Sequence, residues 1–150
     1  MPDPIVLLKK DHREVEAMLK TLAASKPGTR RRSTVDKLDA ALRLHMEIEE
    51  TDVYPVVNRV LGKEEAEEAH IEHDLARDGV AKLHELVDAP GFAAVVAMVT
   101  AGIKHHVKEE EQQIFPNLKK KLDRAELMAL GDEVQAAKKP QARTRRRSAA

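Results

Sequence analysis

His45 and Glu49 stand four residues apart, and so do His106 and Glu110. At 3.6 residues per helical turn, that spacing sets imidazole and carboxylate about 40° apart on one helix face. A further histidine precedes each pair (His12 and His73), a proline follows it (Pro55 and Pro116), and all four positions recur after a shift of 61. Apolar positions travel with the same shift: Leu22 with Leu83, Val35 with Val96, Leu42 with Ile103, Tyr54 with Phe115. A lone H-x-x-x-E is ordinarily a solvated surface pair, but here each lies on the apolar face. His45 is in register with Leu38, Leu42, Val53 and Val56, and His106 with Val99, Ile103 and Ile114. Imidazole and carboxylate at core positions are costly unless something pairs with them, and a cation does so. Two histidines and one carboxylate per repeat match the ligand count of the facial triad of non-haem iron, although the donor types alone also suit zinc or manganese. Doubling the set predicts two metals side by side, with Glu49 and Glu110 placed to bridge them. The chain has no cysteine, so any metal is held by nitrogen and oxygen.

These donors need helices to hold them. Apolar spacing from Ile5 to Leu22 predicts a first helix that ends before Lys26-Pro27-Gly28. Ser33 or Thr34 is the expected cap of a long second helix that runs to Gly62, kinked near Thr51 to Pro55 because proline removes a backbone donor. A third helix is expected from Lys63, carrying Ala66, His70, His73, Leu75, Val80, Leu83 and Val87 to the stop at 88–91. A fourth runs from Phe92 to about Lys121, with Pro116 repeating the kink. Asp123 and Glu126 form a capping box for a short fifth helix, Ala125 to about Lys138. Two helix pairs with short loops predict an all-α, antiparallel up-down-up-down four-helix bundle over residues 1–122. A C-terminal helix at 123–139 and a disordered basic tail at 140–150 follow. In such a duplicated pair, residues 12 and 73, and 45 and 106, are expected to face one another across a pseudo-twofold axis.

Composition narrows the class. At 150 residues the chain fits one domain, and with 2% aromatics its core must be aliphatic, which suits helix packing. Basic and acidic residues balance at 26 each, so no global field favours nucleic acid or membrane. Arg30 to Arg32 form a local basic knot, and Lys138, Lys139, Arg143, Arg145, Arg146 and Arg147 make the C-terminal end basic with no interleaved aromatics, a weak nucleic-acid signal. No apolar run approaches membrane length, and no long apolar segment follows a positive start. A cytoplasmic monomer is the expectation.

The runs DHREVEAML, HMEIEETDVYP, HIEHDLARD and HHVKEEEQQIFP resemble the four helix signatures of hemerythrin-like (HHE cation-binding) domains, from residue 5 to about 121. The ferritin-like pattern, which wants Glu and E-x-x-H, fits poorly. The resemblance implies two iron ions in an oxo- or hydroxo-bridged di-iron centre, held by His12, His45, Glu49, His73, His106 and Glu110. It further implies small-molecule partners, namely O2, hydrogen peroxide and NO. The chain departs from the oxygen carriers, which have third-helix histidines four apart and a final aspartate five after the last histidine. Here His70 and His73 are three apart, and Glu110 is four after His106. Catalase-like peroxide decomposition or reaction with NO is therefore expected ahead of reversible O2 binding or iron and oxygen sensing. His70, whose repeat mate is Lys9, is a candidate extra ligand, a partner of another ligand, or a surface residue. Tyr54, whose mate is Phe115, packs as a ring. It is also a candidate metal ligand or catalytic proton donor, should Pro55 distort the helix enough to turn it inward. Glu50 and Glu111 are expected to support the ligands or lie at the surface.

Overall fold

The computed structural model describes residues 2–140, all helix and turn; no strand occurs among them. Five rods follow one another: α1 (Pro4–Ala23); α2 (Thr29–Ile48), continuing through a π turn (Glu49–Val53) into α3 (Tyr54–Leu61); α4 (Lys63–Glu85); α5 (Phe92–Glu109), continuing through a second π turn (Glu110–Ile114) into α6 (Phe115–Lys121); and α7 (Arg124–Ala137). The basic tail from 141 onward lies outside the described residues. No described helix is long and apolar enough to cross a membrane.

The ends follow local chemistry. Asp3 accepts a hydrogen bond from the Ile5 amide to cap α1, with Pro4 in the first turn where its missing donor does no harm. α2 starts at Thr29, several residues before the expected Ser33 or Thr34 cap, because Gly28 at φ 144° makes the turn. The fifth helix has its capping box, Asp123 with Glu126. Arg31 leaves the expected basic knot: it is buried, donates to the carbonyls of Ser25 and Val87, and sits 4.1 Å over the Phe92 ring.

Both prolines produce a π turn. Pro55 and Pro116 lack the amide that would continue an α-helical ladder, and the chain widens by closing i to i+5, from the Tyr54 amide to the Glu49 carbonyl and from Phe115 to Glu110. This replaces the expected simple kink. In an α-helix Tyr54 would lie about 140° around from Glu49; the wider turn brings it back toward the same face.

α1 packs on α2, α5 and α7, and α4 on α5 and α3. The aliphatic core falls into two clusters. One contains Leu8, Ile48, Val57, Phe115 and Leu118 with Leu130 and Val134 of α7, and the other Val15, Leu19, Leu38, Leu83, Val96 and Ile103. Along every long rod the histidine or glutamate of interest falls between members of the two clusters, so a polar layer divides the core. Leu75, expected inside, is 65% exposed, because it lies two residues from inward-facing His73. α7 is seated tightly: a Cβ at Gly131 would lie 1.9 Å from the Pro2 carbonyl oxygen. Gly131→Ala is therefore expected to cost ~1–3 kcal/mol through overpacking. Chemical denaturation should show it as a lower midpoint with an unchanged slope.

Candidate metal centre

The dividing layer consists of His12, His45, Glu49, His73, His106 and Glu110, all buried, with both glutamates 0% exposed. They form two groups whose donor atoms lie within 4.8 Å of one another: His12, His45, Glu49 and Glu110, and Glu49, His73 and His106. Glu49 belongs to both. Glu110 also reaches across, with one oxygen 3.2 Å from His12 Nε2 and 3.1 Å from His106 Nε2. His45 Nε2 is in direct contact with Glu49. The close histidine pairs are 12 with 45 and 73 with 106, at 4.9 and 4.8 Å between ring centres. They lie within each half, where α1 meets α2 and α4 meets α5, and all four rings line one cavity.

Three of the four imidazoles are hydrogen-bonded from outside, and the fourth, His73, has a carboxylate near its Nδ1 without a hydrogen bond. The Nδ1 atoms of His45 and His106 meet Asp11 at 3.0 Å and Glu72 at 2.7 Å. Those of His12 and His73 meet Glu111 at 3.2 Å and Glu50 at 3.5 Å, each supplied by the other half. Arg13 in turn anchors Glu111, Arg77 anchors Glu50, and Lys138 at the end of α7 anchors Asp11. A carboxylate behind Nδ1 fixes the ring and leaves Nε2 aimed inward, the arrangement that metal-binding histidines use. Glu50 and Glu111 thus support the ligands. Asp11 and Glu72 were missed, although the signal was present: they directly precede His12 and His73 and share the 61-residue shift.

Tyr54 is brought into the centre. Its hydroxyl lies 3.0 Å from His73 Nε2 and donates to Glu110 Oε2 at 3.2 Å, whereas its mate Phe115 stacks on His12 at 6.0 Å. His70 is not brought in. It is 47% exposed, with Nδ1 3.3 Å from Glu50. His84 pairs with Asp39, and His105 with Glu109 and with Glu72, the acid that also meets His106.

The metal-free charges are those of packed acids and bases. Burial opposes charge on His45 and His106, but the facing carboxylates win: Glu49, Asp11 and Glu110 hold His45 up at about 10, and Glu110, Glu72 and Glu49 hold His106 up at about 11. Burial and the neighbouring imidazoliums push His73 down to about 4 against Glu49 and Glu50, so it is neutral. Burial opposes ionisation of Glu110, yet His106 and His12 hold it well below the usual carboxylate range. Burial, then Glu49 and Glu110, raise Tyr54 well above 10 and keep its proton on.

The donors fit a cation. His12 Nε2, His45 Nε2, both oxygens of Glu49 and one of Glu110 are buried without a hydrogen-bond partner, a concentration of unsatisfied groups that a folded core does not otherwise tolerate. Nitrogen and oxygen atoms at this mutual distance are the set that a transition-metal ion would gather. Beside them is a cavity of about 30 Å3, lined by four of the histidines together with Val15, Leu42, Ala76 and Ile103.

No curated protein and no solved structure matches the chain. The hemerythrin HHE cation-binding domain model matches residues 3–118, which include all six buried donors and both π turns. The chain belongs to the hemerythrin HHE cation-binding domain family.

Proposed function

We propose that this protein holds two iron ions, one in each donor group with Glu49 and Glu110 between them, and reacts with hydrogen peroxide, O2 or NO. Peroxide decomposition is the preferred reaction. The observation that carries the reading is the layer of buried inward-facing donors, several without a hydrogen-bond partner, set against a cavity for a very small molecule. A water-sized sphere needs ~10–15 Å3, so about 30 Å3 suits two heavy atoms, the size of all three candidates. When bound, the metal pair supplies open coordination positions and a two-electron couple. Two peroxide molecules then yield two waters and dioxygen.

The protein's own groups have definite tasks. Neutral His73 offers its Nε2 to the interior while Glu50 lies near the other side of the ring. Val15, Leu42, Ala76 and Ile103 keep bulk water from the cavity. Tyr54, protonated and aligned on Glu110, is read as the proton donor, and phenolate ligation is the alternative role. His70 is read as a partner of Glu50.

The rest of the reading concerns architecture and setting. Residues 1–122 form an up-down-up-down bundle from a duplicated helix pair, 123–139 a C-terminal helix that buttresses α1, and the sequence from 140 to 150 is basic. The protein works as a cytoplasmic monomer on small molecules, without membrane or nucleic acid. Reversible O2 binding, or sensing without catalysis, is the second reading, favoured by the small apolar cavity.

Oxygen evolution after peroxide is added to the iron-loaded protein separates the two readings. Rapid evolution supports the first, and a stable oxygenated spectrum with none supports the second. Tyr54→Phe tests the donor. Phe115 already occupies the equivalent position, so fold and metal content should be kept, while turnover falls ~100-fold or more, the usual range for a lost general acid. Unchanged turnover removes Tyr54 from the chemistry, and loss of a phenolate-to-iron absorption band in the variant would make it a ligand instead.

A further inference from the structure

The lining of the small cavity is almost symmetric. His12 and His73, Val15 and Ala76, Leu42 and Ile103, His45 and His106, and Met46 and Val107 are repeat pairs. Two residues break the pattern: Glu72 and Gly102 line the cavity, whereas their mates Asp11 and Ala41 do not. Both lie on the α4–α5 side.

On that side runs a groove of about 680 Å3 between α4 and α5. Glu72, Ala76, Gly102 and Ile103 line groove and cavity alike, so the two meet there. Three groove residues are smaller than their repeat mates on the α1–α2 side: Ala76 against Val15, Gly102 against Ala41, and Gly79 against Met18. The groove wall is largely apolar, including Leu75 and Met98, which are left exposed there.

We propose that small molecules enter the metal-centre cavity along the α4–α5 groove, with Gly102 as the threshold. This rests on the reading of the centre above. The missing side chain of Gly102 keeps the passage open, and apolar walls suit neutral molecules of two heavy atoms better than hydrated ions. The α1–α2 side carries the larger residue at each of these three positions.

Gly102→Leu tests the route. A Cβ there meets nothing within 4 Å, and leucine is the better helix former, so the variant should fold. In the ferrous protein, NO association and dissociation should both slow by about tenfold with Kd unchanged, because a narrowed passage alters rates in both directions equally. Ala41→Leu, at the equivalent position on the other side, should leave both rates as they were. Unchanged rates in Gly102→Leu, equal slowing in Ala41→Leu, or a shifted Kd would overturn the proposal. Xenon exchange with the metal-free cavity, followed by NMR, keeps it separate from the reading of the centre. If the protein takes up no iron, slower exchange in Gly102→Leu alone still supports the route, and equal exchange in all three proteins overturns it.

Discussion

Replacing His45 and His106 together with alanine should strip the protein of nearly all its metal. Each change removes one imidazole from one donor group, leaving the second group with only Glu49 and His73. A ligand that binds only the folded state contributes about 4 kcal/mol at a thousandfold excess over its Kd. At roughly 2–4 °C per kcal/mol for a chain of this size, the metal-loaded protein should melt about 8–16 °C above the metal-free one. In the variant that gap should vanish. Its own melting point should also fall below that of the metal-free parent, because Glu49 and Glu110 keep their buried positions without the imidazolium partners that now face them. Glu49→Gln with Glu110→Gln separates the two losses: it too should bind little metal, but it buries no unpaired carboxylate and should stay helical. Metal analysis and calorimetry on the same samples decide the matter. A full metal load with unchanged melting in the histidine variant would leave the six buried donors without a purpose.

What could be read in the sequence was what repeats. The 61-residue shift selected the six donors because a histidine on an apolar face is conspicuous, and more so when it occurs twice. The same periodicity placed α4 and α5 to within a residue or two at their starts. Contacts between helices were harder to read. Asp11 braces His45 from 34 positions away, and only the packing of α1 on α2 brings them together. Leu75 looked like core because apolar residues near it follow a helical period, yet it falls on the side opposite His73.

Tyr54 shows how one local feature can decide a site. On ideal helical geometry it points away from Glu49, and Pro55 only signals that the ladder must break. The form of the break, a π turn, turns the ring toward His73 and Glu110. Pro116 does the same for Phe115, so the two halves present a hydroxyl to one histidine and a bare ring to the other. A near-symmetric scaffold thereby becomes chemically one-sided, as it also does at Gly102.

Metal uptake should depend steeply on pH, in a direction fixed by the two imidazoliums. In the metal-free protein His45 and His106 hold their protons up to about 10 and about 11, whereas in an unfolded chain they would release them near 6.5. Folding therefore gains proton-linked stability from them, fully present below pH 6.5 and lost as pH rises through about 10 to 11. A metal ion needs the same nitrogens deprotonated and must displace both protons. Two protons released per loading event make apparent affinity rise by about 100-fold per pH unit while both imidazoles start protonated. Neutral His73, already down at about 4, adds nothing to that slope above pH 5. Chelator competition with ferrous iron between pH 6 and 9, without oxygen, measures it, and calorimetry in buffers of different ionisation enthalpy counts the protons. Above about pH 7 the metal-free protein should lose stability with rising pH while the loaded protein, whose imidazoles carry no proton to lose, changes little, so the melting gap between them widens toward alkaline pH. A flat affinity over this range would mean that His45 and His106 are neutral before metal arrives, and that Glu49 and Glu110 do not hold them charged.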